Sequence, residues 1–300
     1  MAIVLFVEKM YCSGCAQHVL EATRALLPEA DVSIELSCKQ VVVDPAPADP
    51  RRLVDAIAGA GYDARILRQE VDADFLARRS AARARLDGLA KPGRDPADST
   101  GAEWFRYVYA AAGEDPAQVP WARLAPHPLL AAWLASNDSL TGLRALDVAC
   151  GLGDNAEALA AAGAETTAFD YAERAIAWAR QRFPESAVRY AVADLFDLPP
   201  EWEGAFDLVH ECATLQTFTP EQLPSAAAAL ARLVAPRGRL LVITAAREEE
   251  EPQTTPWRPL SRQEIEGLAV DGLGLETLHD IPATSPSGAR LWRALLRRRE

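Results

Sequence analysis

The chain reads as α/β, with a seven-stranded, doubly wound sheet over residues 102–300 and a small βαββαβ domain ahead of it over residues 1–69. Three observations carry this. From about residue 145, apolar runs of strand length alternate with amphipathic helical stretches, the pattern of parallel strands joined by crossover helices. A glycine-rich turn, Gly151-Leu-Gly153, follows the first such run and opens a helix. Before residue 70, side-chain periods of 2 and 3.6 alternate in the order strand, helix, two strands, helix, strand.

In the first domain, Ile3 to Val7 is a strand, and Ala16, Val19, Leu20, Thr23 and Leu27 recur at helical spacing until Pro28. Val32, Ile34 and Leu36 alternate as a half-buried strand, and Val41 to Val43 return after a turn near Cys38. Asp49 and Pro50 predict the start of a second helix that turns Leu53, Val54 and Ile57 inward, and Ala64 to Leu67 closes the set. This is the order of a ferredoxin-like domain. Residues 70–101 change character, with arginines from Arg78 to Arg85 and then Lys91-Pro-Gly-Arg-Asp-Pro, and predict a linker whose charges face solvent. Beyond it, strands are expected at Ala145–Ala149, Thr166–Phe169, Val188–Val192, Phe206–His210, Arg239–Ile243, Thr277–Ile281 and Leu291–Leu296. Ser261 and Glu264 form a capping box before the last helix.

With 300 residues, 49% of them hydrophobic and 25% charged, the chain has enough apolar surface for two cores. A net charge of −12 disfavours nucleic acid and anionic membrane as partners and favours a small soluble substrate. Met1 to Phe6 is too short and too soon followed by Glu8 and Lys9 to be a signal-peptide core, and no apolar run approaches the roughly 20 residues of a membrane span. Five scattered cysteines do not form a disulfide framework, which points to a reducing cytoplasm.

Cys12 and Cys15 flank the start of the first helix, where unpaired amides and the dipole favour thiolate, with Lys9 nearby. Two soft sulfurs suit Cu(I) or Hg(II), which accept linear coordination, better than structural zinc, which takes four ligands. A redox dithiol is the competing use, weakened by Ser13-Gly14 in place of the proline of thioredoxin-type loops. Met10-x-Cys12-x-x-Cys15, the βαββαβ order and Ala60-Gly61-Tyr62 resemble the heavy-metal-associated domain of copper chaperones and metal-transporting ATPases. The sequence departs from that family in having Lys9 where it usually has Gly, and Tyr11 where it usually has Thr or Ser. The resemblance implies that Cys12 and Cys15 are the metal ligands, that Met10 is a buried prop, and that Tyr62 lies at the cysteine end of the sheet and Cys38 at the other. A soft metal ion or a metal donor protein is then a partner.

In the second domain, Asp170 lies nineteen residues after Gly151, where a carboxylate at the end of the next strand can accept ribose hydroxyls. The spelling Gly151-x-Gly153-x-x-Ala156 fits dinucleotides too. Acids beside the turn, Asp147 and Asp154, decide between them, since they oppose a pyrophosphate and suit a ligand with an ammonium and a sulfonium. Asp147-x-x-x-Gly151-x-Gly153, Asp170 and Ala193-Asp194-Leu195 resemble the class I S-adenosylmethionine-dependent methyltransferases, a Rossmann-like fold. The resemblance implies that Asp147 lies near the methionine moiety, Asp170 holds the ribose, Tyr171 lines the adenine site, and Asp194 beside Leu195 reaches the adenine amino group. More loosely, Pro120-Trp121 and the prolines around it are similar to the segment preceding the first strand in thiopurine, halide and tellurite methyltransferases. There Trp121 would cover the sulfonium, although an ordinary core tryptophan fits as well. His210 and Glu211 end a strand where reacting groups often sit, yet a soft anion needs no base, so no catalytic residue is assigned. Cys150 is expected as a buried small residue, and Glu248–Glu251 as a mobile polar loop near the mouth.

The function expected is methyl transfer to a small sulfur, selenium, tellurium or metalloid nucleophile, with a metal-capturing amino-terminal module. Two others stay open: a metal-regulated methyltransferase of an unrelated metabolite, and a metallochaperone or sensor whose second domain only binds cofactor.

Overall fold

The computed structural model describes residues 3–36, 39–44, 47, 51–69, 73–88, 102–137, 139–251, 258–282 and 289–299. Cys38, the expected cap at Asp49 and Pro50, and the stretch 89–101 lie outside them. The first unit runs β1 (Ile3–Val7), α1 (Ser13–Leu26), β2 (Asp31–Glu35), β3 (Gln40–Asp44), α2 (Arg51–Gly59) and β4 (Ala64–Gln69). Its antiparallel sheet has the order β2-β3-β1-β4, with β1 paired to both β3 and β4. Ile3, Leu5 and Val7 share one face of β1 and pack with Val19, Val41, Val43, Leu53 and Ile57. Phe6, on the other face, is buried in a cluster with Leu129, Leu130, Trp133 and Ile243 of the second unit. One strand thus contributes to two cores, which is why all five of its residues are buried.

Helices α3 (Ala73–Gly88), α4 (Ala102–Ala111) and α5 (Pro128–Ala135) lead into the larger sheet. Its strands are β5 (Arg144–Val148), β6 (Glu165–Asp170), β7 (Arg189–Val192), β8 (Phe206–Cys212), β9 (Val234–Ala245), β10 (Leu273–Ile281) and β11 (Leu291–Arg298), with helices α6 (Asp154–Ala161), α7 (Glu173–Arg182), α8 (Leu223–Leu233) and α9 (Arg262–Glu266) between them. The order is β10-β11-β9-β8-β5-β6-β7, parallel from β5 to β9 and antiparallel through β11 and β10. This is a Rossmann-like, mostly parallel seven-stranded sheet. The chain winds one way from β5 to β7 and the other way from β8, so a crevice opens at the carboxyl ends of β5 and β8. The apolar runs of β5 and β8 are buried as central parallel strands require, and the alanines of α8 let that helix lie close on the sheet. The capping box of Ser261 and Glu264 forms as expected.

The arginine-rich stretch departs from expectation. Residues 73–88 fold as α3, whose buried Phe75 packs with Tyr109, Val119 and Leu152, and whose Leu86 packs with Trp104 and Val108. Its arginines are tied to the segment after α4: Arg78 to Asp115 at 2.5 Å, Arg79 to the Ala122 carbonyl at 2.6 Å, and Arg85 to Gln118 at 2.6 Å. They dock the helix instead of only solvating it. Glu248–Glu251 likewise form a turn held by Arg290 on Glu248, Arg247 on the carbonyls of Glu248 and Glu249, and the Gln263 amide on Glu249.

Gly153 has φ +89°, and a Cβ there would stand 2.5 Å from the Tyr190 hydroxyl. Gly153→Ala is expected to lower the unfolding free energy by about 2 kcal/mol. Urea titration checks this, and the same substitution in a Tyr190→Phe background should cost less.

Candidate active site

A cavity of about 570 Å³ opens at the switch point, over the ends of β5, β6, β7 and β8 and beneath α3 and α4. Gly151, Asp170, Tyr171, Asp194 and Leu195 all line it. Val148 ends β5, and the backbone then turns through Ala149 at φ 50°, Gly151 at 54° and Gly153 at 89°. Ala213, just after the adjacent β8, has φ 62°. Left-handed alanines cost about 1 kcal/mol each, and both of these lie on the cavity wall.

Asp170 fixes the turn from the neighbouring strand. Its Oδ2 accepts the Gly151 amide at 3.1 Å and its Oδ1 the Ala172 amide at 2.9 Å. Burial pushes its carboxyl up to about 6 despite these two amides, with Asp147 adding to the rise. The glycines serve packing as well as ligand approach, because a Cβ on Gly151 would meet the Tyr109 hydroxyl at 3.0 Å just as one on Gly153 meets Tyr190. Tyr109 is buried, accepts the Trp121 indole N–H at 2.8 Å and lines the cavity. The sequence reading assigns it no role, and only its helical register with Phe105 and Ala112 marks it as inward-facing. Trp121 packs 5.3–5.8 Å from the rings of Phe105, Tyr109 and Trp104 and forms part of the wall.

Two acids differ from expectation. Asp147 is not part of the cavity wall. It is 1% exposed, and its Oδ1 meets His210 Nδ1 across the β5–β8 pair at 2.7 Å. Its Oδ2 and His210 Nε2 are buried with no hydrogen-bond partner among the described residues. Asp147 therefore acts on the site through its field, raising the proton affinity of Cys150, Asp170 and Glu211. Asp154 is neutralised by Arg182, whose two terminal nitrogens reach its oxygens at 2.7 and 2.9 Å. The negative field at the turn thus comes from Asp147 and Asp170. Gly153 likewise lies beneath the turn and not on the wall.

His210 and Glu211, the strand-end candidates, are fully buried. Glu211 Oε2 caps the following turn by accepting the Thr214 and Leu215 amides, and burial lifts its carboxyl to about 8. Cys150 and Cys212 line the cavity, with thiols pushed well up by burial, so neither is a nucleophile at neutral pH. His127 also lines it. Its Nδ1 accepts the Leu129 amide at 3.2 Å, and burial, then Arg123 and His210, holds its pKa well down, so the ring is neutral with its proton on Nε2.

The residues fit S-adenosylmethionine. The buried Asp170 carboxylate stands where hydroxyl donors would satisfy its remaining lone pairs.

In the first unit, the thiols of Cys12 and Cys15 approach to 2.8 Å, and Cys12 Sγ caps α1 by accepting the Cys15 amide at 3.3 Å. The Cys15 pKa falls to about 7, first through its bond with Cys12, then the Tyr11 and Cys12 backbone, with the Tyr62 hydroxyl adding a smaller part. Tyr62, at the cysteine end, also meets His18 Nδ1 at 3.2 Å. Met10 is fully buried. Among the described residues no group of three or more His, Cys, Asp or Glu could hold a metal ion. Any ion here would rest on the two sulfurs. Alkylation of Cys15 by iodoacetamide should rise with pH through a midpoint near 7, and Tyr62→Phe should move that midpoint upward, as peptide mapping across a pH series would show.

Residues 145–238 match the model of the Methyltransferase domain. The ubiquinone biosynthesis O-methyltransferases of Aromatoleum aromaticum and Xanthomonas campestris pv. campestris are each 37% identical over 120 residues, 39% of this chain and 50% and 49% of theirs. The chain therefore spans about half the length of these curated relatives. They are ubiquinone O-methyltransferases and not the thiopurine, halide or tellurite enzymes expected from Pro120-Trp121. The solved structure described as "Conversion of a Disulfide Bond into a Thioacetal Group during Echinomycin Biosynthesis" aligns with a TM-score of 0.55 and 25% identity over 66% of this chain and 93% of that one. Among the described residues no helix is long and apolar enough to cross a membrane. The carboxyl-terminal unit is a class I S-adenosylmethionine-dependent methyltransferase domain.

Proposed function

We propose that the chain methylates a small, soft acceptor, a sulfur, selenium, tellurium or metalloid nucleophile, using S-adenosylmethionine held by Gly151, Asp170, Tyr171, Asp194 and Leu195. The cofactor supplies an electrophilic methyl group on a sulfonium. The observation that carries the cofactor assignment is the Asp170 carboxylate bound to the Gly151 amide, which joins the glycine turn to an acid in a field already negative from Asp147. Asp194 Oδ1 accepts the Phe196 amide at 2.9 Å, which fixes its carboxylate at the cavity wall. Tyr171 is held between Phe105, 6.5 Å away, and the Arg106 guanidinium.

A soft acceptor is favoured by what the wall does not offer. Among the described lining residues, His127 is a poor base, the thiols of Cys150 and Cys212 are pushed well up by burial, and Asp154 is paired with Arg182. An acceptor that ionises in water needs none of them. Oxygen methylation, supported by the names of the curated relatives, is the second reading. Residues 3–69 are, in this proposal, a ferredoxin-like module of the heavy-metal-associated type, in which Cys12 and Cys15 hold Cu(I) or Hg(II) delivered free or by a donor protein.

A screen for S-adenosylhomocysteine release across thiols, selenite, tellurite, arsenite and phenols, with and without Cu(I), tests the proposal. Turnover with a soft acceptor supports it, turnover with phenols alone selects oxygen methylation, and no turnover leaves a cofactor-binding sensor. Because Asp170 titrates near 6 and hydroxyl donors bind its carboxylate, protons compete with cofactor. S-adenosylhomocysteine affinity should fall toward about tenfold per pH unit below 6. Asp170→Asn should weaken binding by roughly ten- to a hundredfold and flatten that profile, as calorimetry from pH 5 to 8 would show.

A further inference from the structure

We infer that Gln216, assisted by Thr214, selects the acceptor by donating a hydrogen bond from its side-chain amide to a neutral oxygen of the carbonyl class. The inference rests on the methyltransferase reading and names its acceptor more closely.

Gln216 lies in the turn after β8 and lines the cavity. Its Oε1 accepts the Ala245 amide at 2.9 Å and the Thr244 hydroxyl at 3.1 Å. A backbone N–H can only donate, so the atom facing Ala245 is the oxygen and the side-chain amide has one orientation. The two N–H groups of Nε2 are left for another partner. Among the described residues they have none, and on this half-buried side chain Nε2 is not sealed from the cavity. The half-buried Thr214 hydroxyl, on the same turn and also on the cavity wall, likewise makes no hydrogen bond among the described residues.

The turn that carries these donors is held on all sides. Glu211 accepts the Thr214 and Leu215 amides at 3.0 Å each, and the Thr217 hydroxyl donates to the Thr214 carbonyl at 2.7 Å. Arg258 donates its amide to the Gln216 carbonyl at 2.8 Å and its Nε to the Phe218 carbonyl at 3.1 Å, and is itself buried against Glu264. Donors fixed in this way lose little freedom when a ligand arrives.

Position separates Gln216 from the cofactor residues. It is anchored at the end of β9, and the order β9-β8-β5-β6 puts three strand spacings, roughly 14 Å, between it and Asp170 at the end of β6. The two side chains therefore serve different parts of what the cavity holds. Phe196 and Phe218, which pack edge to face at 5.6 Å, also line the cavity, as do Ile243 and Leu291. They suit an aromatic body. When such a body displaces water from Gln216, an uncharged donor is satisfied by a carbonyl oxygen and left unpaired by a methylene.

The test uses the full chain saturated with S-adenosylhomocysteine at pH 8, titrated calorimetrically with para-mercaptoacetophenone and with para-ethylthiophenol, both ionised at sulfur. The ketone should bind about tenfold more tightly than the ethyl compound. Gln216→Glu keeps an oxygen for the Ala245 amide and replaces the Nε2 donor with an acceptor, so it should abolish the preference and leave the ethyl compound's affinity within about twofold. Thr214→Val should shrink the preference without abolishing it. Retained S-adenosylhomocysteine binding by these variants shows that they are folded. Equal affinity of the wild-type chain for the two probes, no binding of the ketone, or a preference that survives Gln216→Glu would overturn the inference. Failure of the wild-type chain to bind S-adenosylhomocysteine would instead bring down the parent reading.

Discussion

The hydrogen bond from the Gly151 amide to Asp170 joins the ends of two adjacent parallel strands, and the rest of the site is arranged around it. It can form only if the backbone after β5 turns sharply, which requires left-handed conformations at Ala149, Gly151 and Gly153. Those conformations are held from outside by two tyrosines. Tyr109 rests against Gly151, and Tyr190, whose hydroxyl donates to Glu157 at 2.6 Å, rests against Gly153. Burying Asp170 raises its carboxyl, so the geometry that fixes the turn also leaves an acid whose remaining lone pairs seek donors.

Charge in the cavity is polarised. Asp147 and Asp170 make the β5–β6 side negative, while Arg182 cancels Asp154 and prevents the field from spreading to the start of α6. Arg79 and Arg83 of α3, and Arg123 before α5, also line the cavity. The transfer then depends on alignment more than on proton movement.

The parallel sheet, the glycine turn and the acid at the end of the second strand were legible because each rests on local pattern: apolar runs, glycines at fixed offsets, and a carboxylate nineteen residues on. What was not legible depended on distant partners. Asp154 looked like a free charge, and its neutralisation comes from Arg182, 28 residues later. Asp147 looked like a cofactor contact, but the β5–β8 register, set 63 residues away, turns it to His210. The docking of helix α3 was masked by its arginines, which read as a solvated face, although Phe75, Arg79, Ala82 and Leu86 recur at helical spacing and form its inner face. In the first unit, the apolar run Ile3 to Val7 marked a strand, while nothing local could announce that Phe6 would be covered by the second unit.

The central claim is that buried acids around a tight turn select a phosphate-free, positively charged nucleoside ligand. Competitive calorimetry on the full chain with S-adenosylmethionine and NADH tests it most directly. The account predicts one-to-one binding of the sulfonium compound that NADH does not displace. Binding of NADH in that cleft, with S-adenosylmethionine left unbound, would contradict it.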